Sequence, residues 1–292
     1  MIFRRTALLA ATFILALPAA CMAGTIYATD GVTLYGINPN DASVMGTLSL
    51  AASLSTAGAT SLAGLASYGG ILYGDLKLQS AGVQFVTIDP LSGAFTTIGP
   101  KNYSVAPGPI SFDSGGLLYL RDGVSSNVKG YSASTGAFVN DYACGSASTA
   151  LLVGADGQAW LGVSGTTSVR ETVLSAGTTC STGSGAPTGS GAPSGSSGSG
   201  AATGTFIATM TVGDGVNLAV KSGASSTLYS FNTAFPAFGN PTFTTVGALP
   251  NGISSLADVQ TSLSPEPSSL ALLAIGLTAW AGFLYNRRRR AL

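Results

Sequence analysis

The chain has 292 residues, and its 40 glycines and 13 prolines place much of it in turns, so long helices are not expected away from the two ends. It contains no histidine, which excludes imidazole bases, Ser-His-Asp and Cys-His nucleophiles and histidine zinc sites. Charge is sparse, with 12 residues of each sign, and Gly24 to Ser264 keeps 6 basic and 11 acidic residues, a net of −5 that suits nucleic acid poorly because such binding neutralises phosphates.

Arg4 and Arg5 precede an apolar run from Ala7 to Leu17, then Pro18 and the small-residue stretch Ala19 to Gly24. That order of charged, apolar and small segments reads as a secretory signal peptide over residues 1–23, cleaved after Ala23 by signal peptidase. A lipoprotein signal would acylate Cys21, but Pro18 stands where such signals carry a branched aliphatic residue.

From Gly24 to Gln260 short runs rich in Val, Ile, Leu, Thr and Tyr are broken by Gly, Asp and Asn every eight to twelve residues, the pattern of all-β structure. Self-comparison aligns five segments on Tyr27, Tyr73, Tyr119, Trp160 and Leu218, at spacings of 46, 46, 41 and 58. A Gly/Ser/Ala/Pro segment, Ser181 to Thr203, lengthens the last gap and reads as a flexible loop, since it has no large apolar residue to offset its ordering entropy. Second strands follow at Tyr35 to Ile37, Val86 to Ile88 and Gly130 to Ser132, each ending in a Pro-, Ser- or Gly-bearing turn, and further strands at Phe95 to Gly99 and Phe243 to Gly247.

Four strands in about 40 to 46 residues is the period of a propeller blade. The first unit lacks an inner strand at its own start, and Ile253 to Val259 matches the inner-strand segments Ser61 to Ser67 and Pro109 to Asp113. The expected fold is therefore a five-bladed β-propeller whose C-terminal strand completes the first blade and removes an exposed edge. The units resemble those of secreted propellers built on a Leu-Tyr-x-Ile-Asp-Pro-x-Thr-Gly-like repeat, more weakly in the fourth and fifth. A β-sandwich is the alternative architecture.

Asp113, Asp156, Asp214 and Asp258 fall near the ends of the inner strands, with Ser67 in the remaining repeat. They read first as turn-capping residues; the sharper reading is a ring of carboxylates at one channel rim that takes Ca²⁺ or sugar hydroxyls. A glycosidase or lyase would need two opposed carboxyls, and Glu171, the only Glu between Gly24 and Ser264, sits beside Arg170 as an ion pair would. No catalytic residue, metal or cofactor is expected. Cys144 and Cys180 are the only cysteines after Gly24, in a chain bound for a disulfide-permissive compartment, and they read as a pair whose bridge would add about 3 to 4 kcal/mol.

The tail, residues 261–292, begins with Ser264-Pro265-Glu266-Pro267-Ser268-Ser269, continues through sixteen uncharged residues, Leu270 to Tyr285, and ends on Asn286, Arg287, Arg288, Arg289 and Arg290. The apolar run is about 24 Å long as a helix, and with Ser269 and Asn286 it can just span a bilayer, the arginines holding the C-terminus on the cytoplasmic side. Pro265, Glu266, Pro267 and Ser268, the apolar helix and the arginine cluster, in that order, resemble the PEP-CTERM sorting signal of Gram-negative bacteria. The resemblance implies processing by an exosortase-type membrane protease, a transient stay in the inner membrane, and delivery to the cell surface or an exopolysaccharide and biofilm matrix. The sequence thus leads to an exported protein whose propeller serves as a non-catalytic scaffold or binding module, with polysaccharide as a partner; the alternative is a secreted carbohydrate-active enzyme on the same fold.

Overall fold

The computed structural model describes residues 25–125, 127–144, 148–153, 158–163, 169–174, 205–210, 216–222, 226–232 and 243–259. The segment expected to be a signal peptide, the segment 181–203 expected to be a loop, Asp156, Asp214, Cys180 and the tail with its expected sorting motif and arginines lie outside these residues. Among the described residues no helix is long and apolar enough to cross a membrane.

Among the described residues the strands form five antiparallel sheets. In spatial order the first holds β19 (Ser255–Val259), β1 (Thr25–Thr29), β2 (Thr33–Ile37) and β3 (Val44–Ser49). The second is β4 (Ala59–Tyr68), β5 (Ile71–Leu78), β6 (Val83–Ile88) and β7 (Phe95–Asn102). The third is β8 (Ile110–Phe112), β9 (Leu117–Arg121), β10 (Val128–Ser132) and β11 (Phe138–Tyr142). The fourth has three strands among the described residues, β12 (Ser148–Val153), β13 (Gln158–Val163) and β14 (Val169–Val173). The fifth is β15 (Thr205–Met210), β16 (Val216–Ser222), β17 (Ser226–Asn232) and β18 (Phe243–Leu249). Among the described residues one short helix, α1 (Ala51–Ala57), which the β-rich pattern did not anticipate, joins the first sheet to the second and ends on Gly58 at φ 67.

The repeated aromatic positions share one register. Tyr27, Tyr73, Tyr119, Trp160 and Leu218 lie opposite Ala257, Ala66, Ser111, Leu152 and Thr209 on the first strands of their sheets. Strand β19 pairs with β1 from Thr25↔Val259 to Thr29↔Ser255, so the two ends of the folded chain share one sheet. The first strands also touch in cyclic order: β19 against β4, β4 against β8, β8 against β12, β12 against β15, and β15 against β19.

Burial follows that order, because apolar side chains collect between neighbouring sheets. Leu34, Leu62, Leu76 and Val259 pack between the first and second sheets, Ile26, Ile37, Leu228 and Leu256 between the fifth and first. Phe85, Ile98, Phe112 and Tyr131 fill the gap between the second and third, and Val128, Leu151, Val153 and Leu161 that between the third and fourth. Each fully buried Leu or Ile contributes roughly 1.5 to 3 kcal/mol. Serine hydroxyls link the first strands where no ladder runs: Leu65 N–H donates to Ser255 Oγ at 2.7 Å, Val153 N–H to Ser111 Oγ at 3.0 Å, and Ser67 Oγ to the Asp258 carbonyl.

One hairpin recurs. In Asn38 to Ala42, Asp89 to Gly93 and Ser132 to Gly136 the fifth N–H donates to the first carbonyl, at 2.9, 2.8 and 2.8 Å, and the fifth residue takes φ of 60, 70 and 67. Each loop then leans on the preceding sheet. Asp41 lies against Gly247 of β18, Gly93 against Leu48 of β3, and Thr135 against Gly99 of β7. Gly99 itself has φ 63, and a Cβ there would strike the Thr135 carbonyl oxygen. Gly99→Ala should therefore lower unfolding free energy by about 2 kcal/mol or more, from left-handed strain and backbone collision together. Denaturant unfolding of the purified variant checks this, and a change under about 0.5 kcal/mol, ordinary for a surface substitution, contradicts it.

Candidate functional site

Of the four predicted rim carboxylates, Asp113 and Asp258 are described, and they occupy different environments. Asp113 follows β8 and serves its own turn: Oδ1 accepts from Leu117 N–H at 2.9 Å, and Oδ2 from the Tyr119 hydroxyl at 3.1 Å. Burial, the Asp113 charge and Tyr142 together hold the Tyr119 phenol protonated well above its usual range. Asp258 is no turn residue. It lies inside β19, buried, opposite Ile26, and strand alternation puts it on the side of Leu256. The register aligns Asp258 with Ser67, Phe112, Val153 and Met210, one position before Asp113. The equivalence expected for Asp113 and Asp258 is thereby corrected, since a one-residue offset turns a side chain to the opposite face of its strand. Among the described residues no three of His, Cys, Asp and Glu come together as metal ligands would. Cys144 is buried at the contact of the third and fourth sheets and is disulfide-bonded.

The buried polar groups that stand out lie elsewhere. Two residues beyond the aligned tyrosine, Thr29, Asp75 and Arg121 are 0%, 0% and 1% exposed in the first, second and third sheets. Thr29 satisfies itself locally, its Oγ1 donating to the Thr33 carbonyl at 2.8 Å and accepting from Gly31 N–H at 2.9 Å. Burial pulls the Arg121 guanidinium below its ordinary value, with the neighbouring Asp122 charge opposing that shift. The common spacing Tyr27-x-Thr29, Tyr73-x-Asp75, Tyr119-x-Arg121 was the available signal. A charged residue alternating with apolar ones is the ordinary mark of a solvated strand face, so this spacing does not by itself mark burial.

Asp75 and its neighbour across the sheets, Asp122, meet on one segment of chain. After β7 the chain crosses to β8 through Tyr103 to Pro109 as a strap. Its Ala106-Pro107-Gly108-Pro109 portion offers only two N–H groups, because proline has none. Ala106 N–H donates to Asp122 Oδ1 at 3.0 Å, and Gly108 N–H to Asp75 Oδ2 at 3.1 Å. Both donors of that portion therefore end on buried carboxylates. No side chain fits beside them: a Cβ on Gly108 would strike the Arg121 carbonyl oxygen, and one on Gly64 would come within 2.6 Å of the Gly108 oxygen and 2.7 Å of Asp75 Oδ1.

The two carboxylates have opposite proton habits. Asp122 is buried, which favours its acid form, but Ser125 Oγ at 2.5 Å, Ala106 N–H, Lys129 Nζ at 2.9 Å and Val124 N–H outweigh burial and hold it ionised far below the usual carboxylate range. Asp75 has no cation among the causes of its shift. Desolvation raises it to about 7, and the peptide groups of Gly108, Gly64 and Asp75 only partly oppose that. Its Oδ1 has no hydrogen-bond partner among the described residues. Chemically the strap rests on one permanent anion and one carboxyl that exchanges its proton near neutrality.

No family model matches the chain, and no curated protein matches it. Among solved structures, a chain of the nidogen/laminin complex superposes with a TM-score of 0.51 at 8% identity, over 81% of this chain and 98% of that one. The WD40 repeats of RRP9 give 0.47 at 11% identity over 80% of each chain, and a protein of unknown function from Bacteroides caccae gives 0.44 at 7% over 82% and 99%. The antiparallel sheets and the cyclic contacts of their first strands make the fold all-β and propeller-like, and at 8% identity the likeness to the nidogen/laminin chain extends to fold alone.

The sign of the Asp75 contribution is fixed by its raised value. Folded protein keeps a proton that the unfolded chain releases above 3.8, so this group makes stability fall as pH rises from about 4 to about 7, by at most about 1.4 kcal/mol per pH unit. Asp75→Asn should remove that component, leaving the variant more stable relative to wild type at pH 7 than at pH 4. Unfolding curves for both proteins across this range test it, and a pH-independent difference between them would refute it.

Proposed function

We propose that the five sheets are the blades of a five-bladed β-propeller closed by β19, and that this body is an exported, non-catalytic scaffold or binding module sorted by a PEP-CTERM tail. The observation that carries the architecture is the return of the first-strand contacts from β15 to β19, together with the β19–β1 ladder. On this reading signal peptidase removes residues 1–23. The tail helix, 269–286, holds the protein in the inner membrane until an exosortase-type protease acts at Pro265, Glu266, Pro267 and Ser268, with Arg287, Arg288, Arg289 and Arg290 fixing the helix on its cytoplasmic side. What favours this order of events is the spacing: β19 ends at Val259, six residues before Pro265, so cleavage at the motif leaves every described strand in the released body. The body then resides at the cell surface or in an exopolysaccharide matrix, with polysaccharide as its contact. Cys144 and Cys180 would be its one bridge.

A chain ending at Pro250 should lose cooperative unfolding, because β1 would present an unpaired edge and two of the packed layers would lose the side chains of β19. An unchanged melting curve would sink the closed ring. For sorting, mature protein from the surface or matrix should lack Leu270 to Leu292, and Pro265→Ala with Glu266→Ala should strand the full-length form in the inner membrane. Intact C-terminal peptides in the surface fraction of wild-type cells would leave a permanent anchor as the better account.

A further inference from the structure

Asn251 and Gly252 are the only Asn-Gly pair in the chain, and they lie in the connection from β18 to β19. Both are exposed. Gly252 has φ 80, the value of the third residue of a type II turn, and a Cβ there would meet no atom within 4 Å. Among the described residues neither the Asn251 side chain nor the Gly252 N–H is engaged in a hydrogen bond. Other asparagines are placed differently. Asn38 precedes Pro39, whose nitrogen carries no hydrogen, the Asn38 and Asn102 side chains accept from Asn40 and Ser104 N–H at 3.0 and 2.9 Å, and Asn127 precedes β-branched Val128.

We propose that Asn251 is a site of spontaneous deamidation, a chemical modification placed at the entry to the closing strand. The Gly252 nitrogen, losing its proton to solvent base, attacks the Asn251 side-chain carbonyl carbon. A C–N bond forms, the bond to the amide nitrogen breaks, and ammonia leaves with a solvent proton. One water then opens the cyclic imide at either carbonyl, giving aspartate or isoaspartate, with no oxidant or enzyme needed. Glycine suits the second position because it presents no Cβ to the approach and turns freely.

The place gives the modification a consequence. Leu249 and Ile253 are both buried in the layer between the fifth and first sheets, so the turn is pinned at its two ends. An isoaspartyl linkage runs the backbone through the side-chain methylene and adds one bond between those pins. The next contact along is Ser254, whose N–H and Oγ both donate to the Thr29 carbonyl, at 2.7 and 3.2 Å. Isoaspartate at 251 therefore loosens the start of the β19–β1 pairing.

The test uses purified full-length protein aged in warm, mildly alkaline buffer and read by peptide mass spectrometry and amide hydrogen exchange. The amide-to-acid mass gain should appear first in the Asn251 peptide, largely as isoaspartate, and Asn251→Gln should abolish it. Amides of β19 should exchange several-fold faster in the aged wild type than in Asn251→Asp, which carries the new charge without the added bond. Earlier conversion at another asparagine, or an Asn251 that stays intact in native protein and converts only after denaturation, overturns the site. Conversion with β19 exchange equal to that of Asn251→Asp overturns its effect on the closing strand.

Discussion

Five residue pairs, Thr25↔Val259 through Thr29↔Ser255, join strands separated by almost the whole length of the folded chain. Much else depends on that ladder. Strand alternation sends Ala257 and Val259 into the layer shared with the second sheet and Leu256 into the layer shared with the fifth, so one strand seals two apolar layers. Ser255 Oγ and the Asp258 carbonyl also receive hydrogen bonds from Leu65 and Ser67 of β4. Loop-closure entropy is large for so distant a pairing and grows only slowly with length, so the side chains buried by β19 must supply the compensation.

The repeat was legible because strand pairing imposes a period that side chains must obey. Tyr27, Tyr73 and Tyr119 meet the same kind of partner in each sheet, and the turn residues fall where φ must be positive. The end-to-end likeness of Ile253 to Val259 to the inner strands also rested on pattern, since a first strand must keep apolar groups on both faces. What pattern could not resolve was offset by a single residue. Asp113 and Asp258 look alike in sequence, yet one caps a turn and the other lies inside a strand. Asp75 was missed for a different reason. Its environment is created by Gly64, Gly108 and two prolines from other segments, none of which marks a charged strand residue as buried.

The polar interior is organised by scarcity of donors. A segment reading Ala-Pro-Gly-Pro has two N–H groups in four residues, and each is matched by a carboxylate from a different sheet. Asp122 can remain charged because hydroxyl, ammonium and peptide donors surround it, whereas among the described residues only peptide groups oppose the desolvation of Asp75, which keeps its proton to higher pH. The joint between the second and third sheets is therefore set by glycine clearance and peptide donors as much as by apolar contact.

Thr25 and Val259 face each other as the first pair of the ladder, so the chain enters and leaves the folded unit side by side. Tension applied between those two ends would act across the ladder and part its rungs one at a time, beginning with that pair, instead of shearing all five together. The unit is consequently weakest to a pull along its own termini and stronger to a load borne across its sheets. A body held by its C-terminal tail while its faces are gripped would carry the load through its layers, and one stretched from both ends would open like a zip.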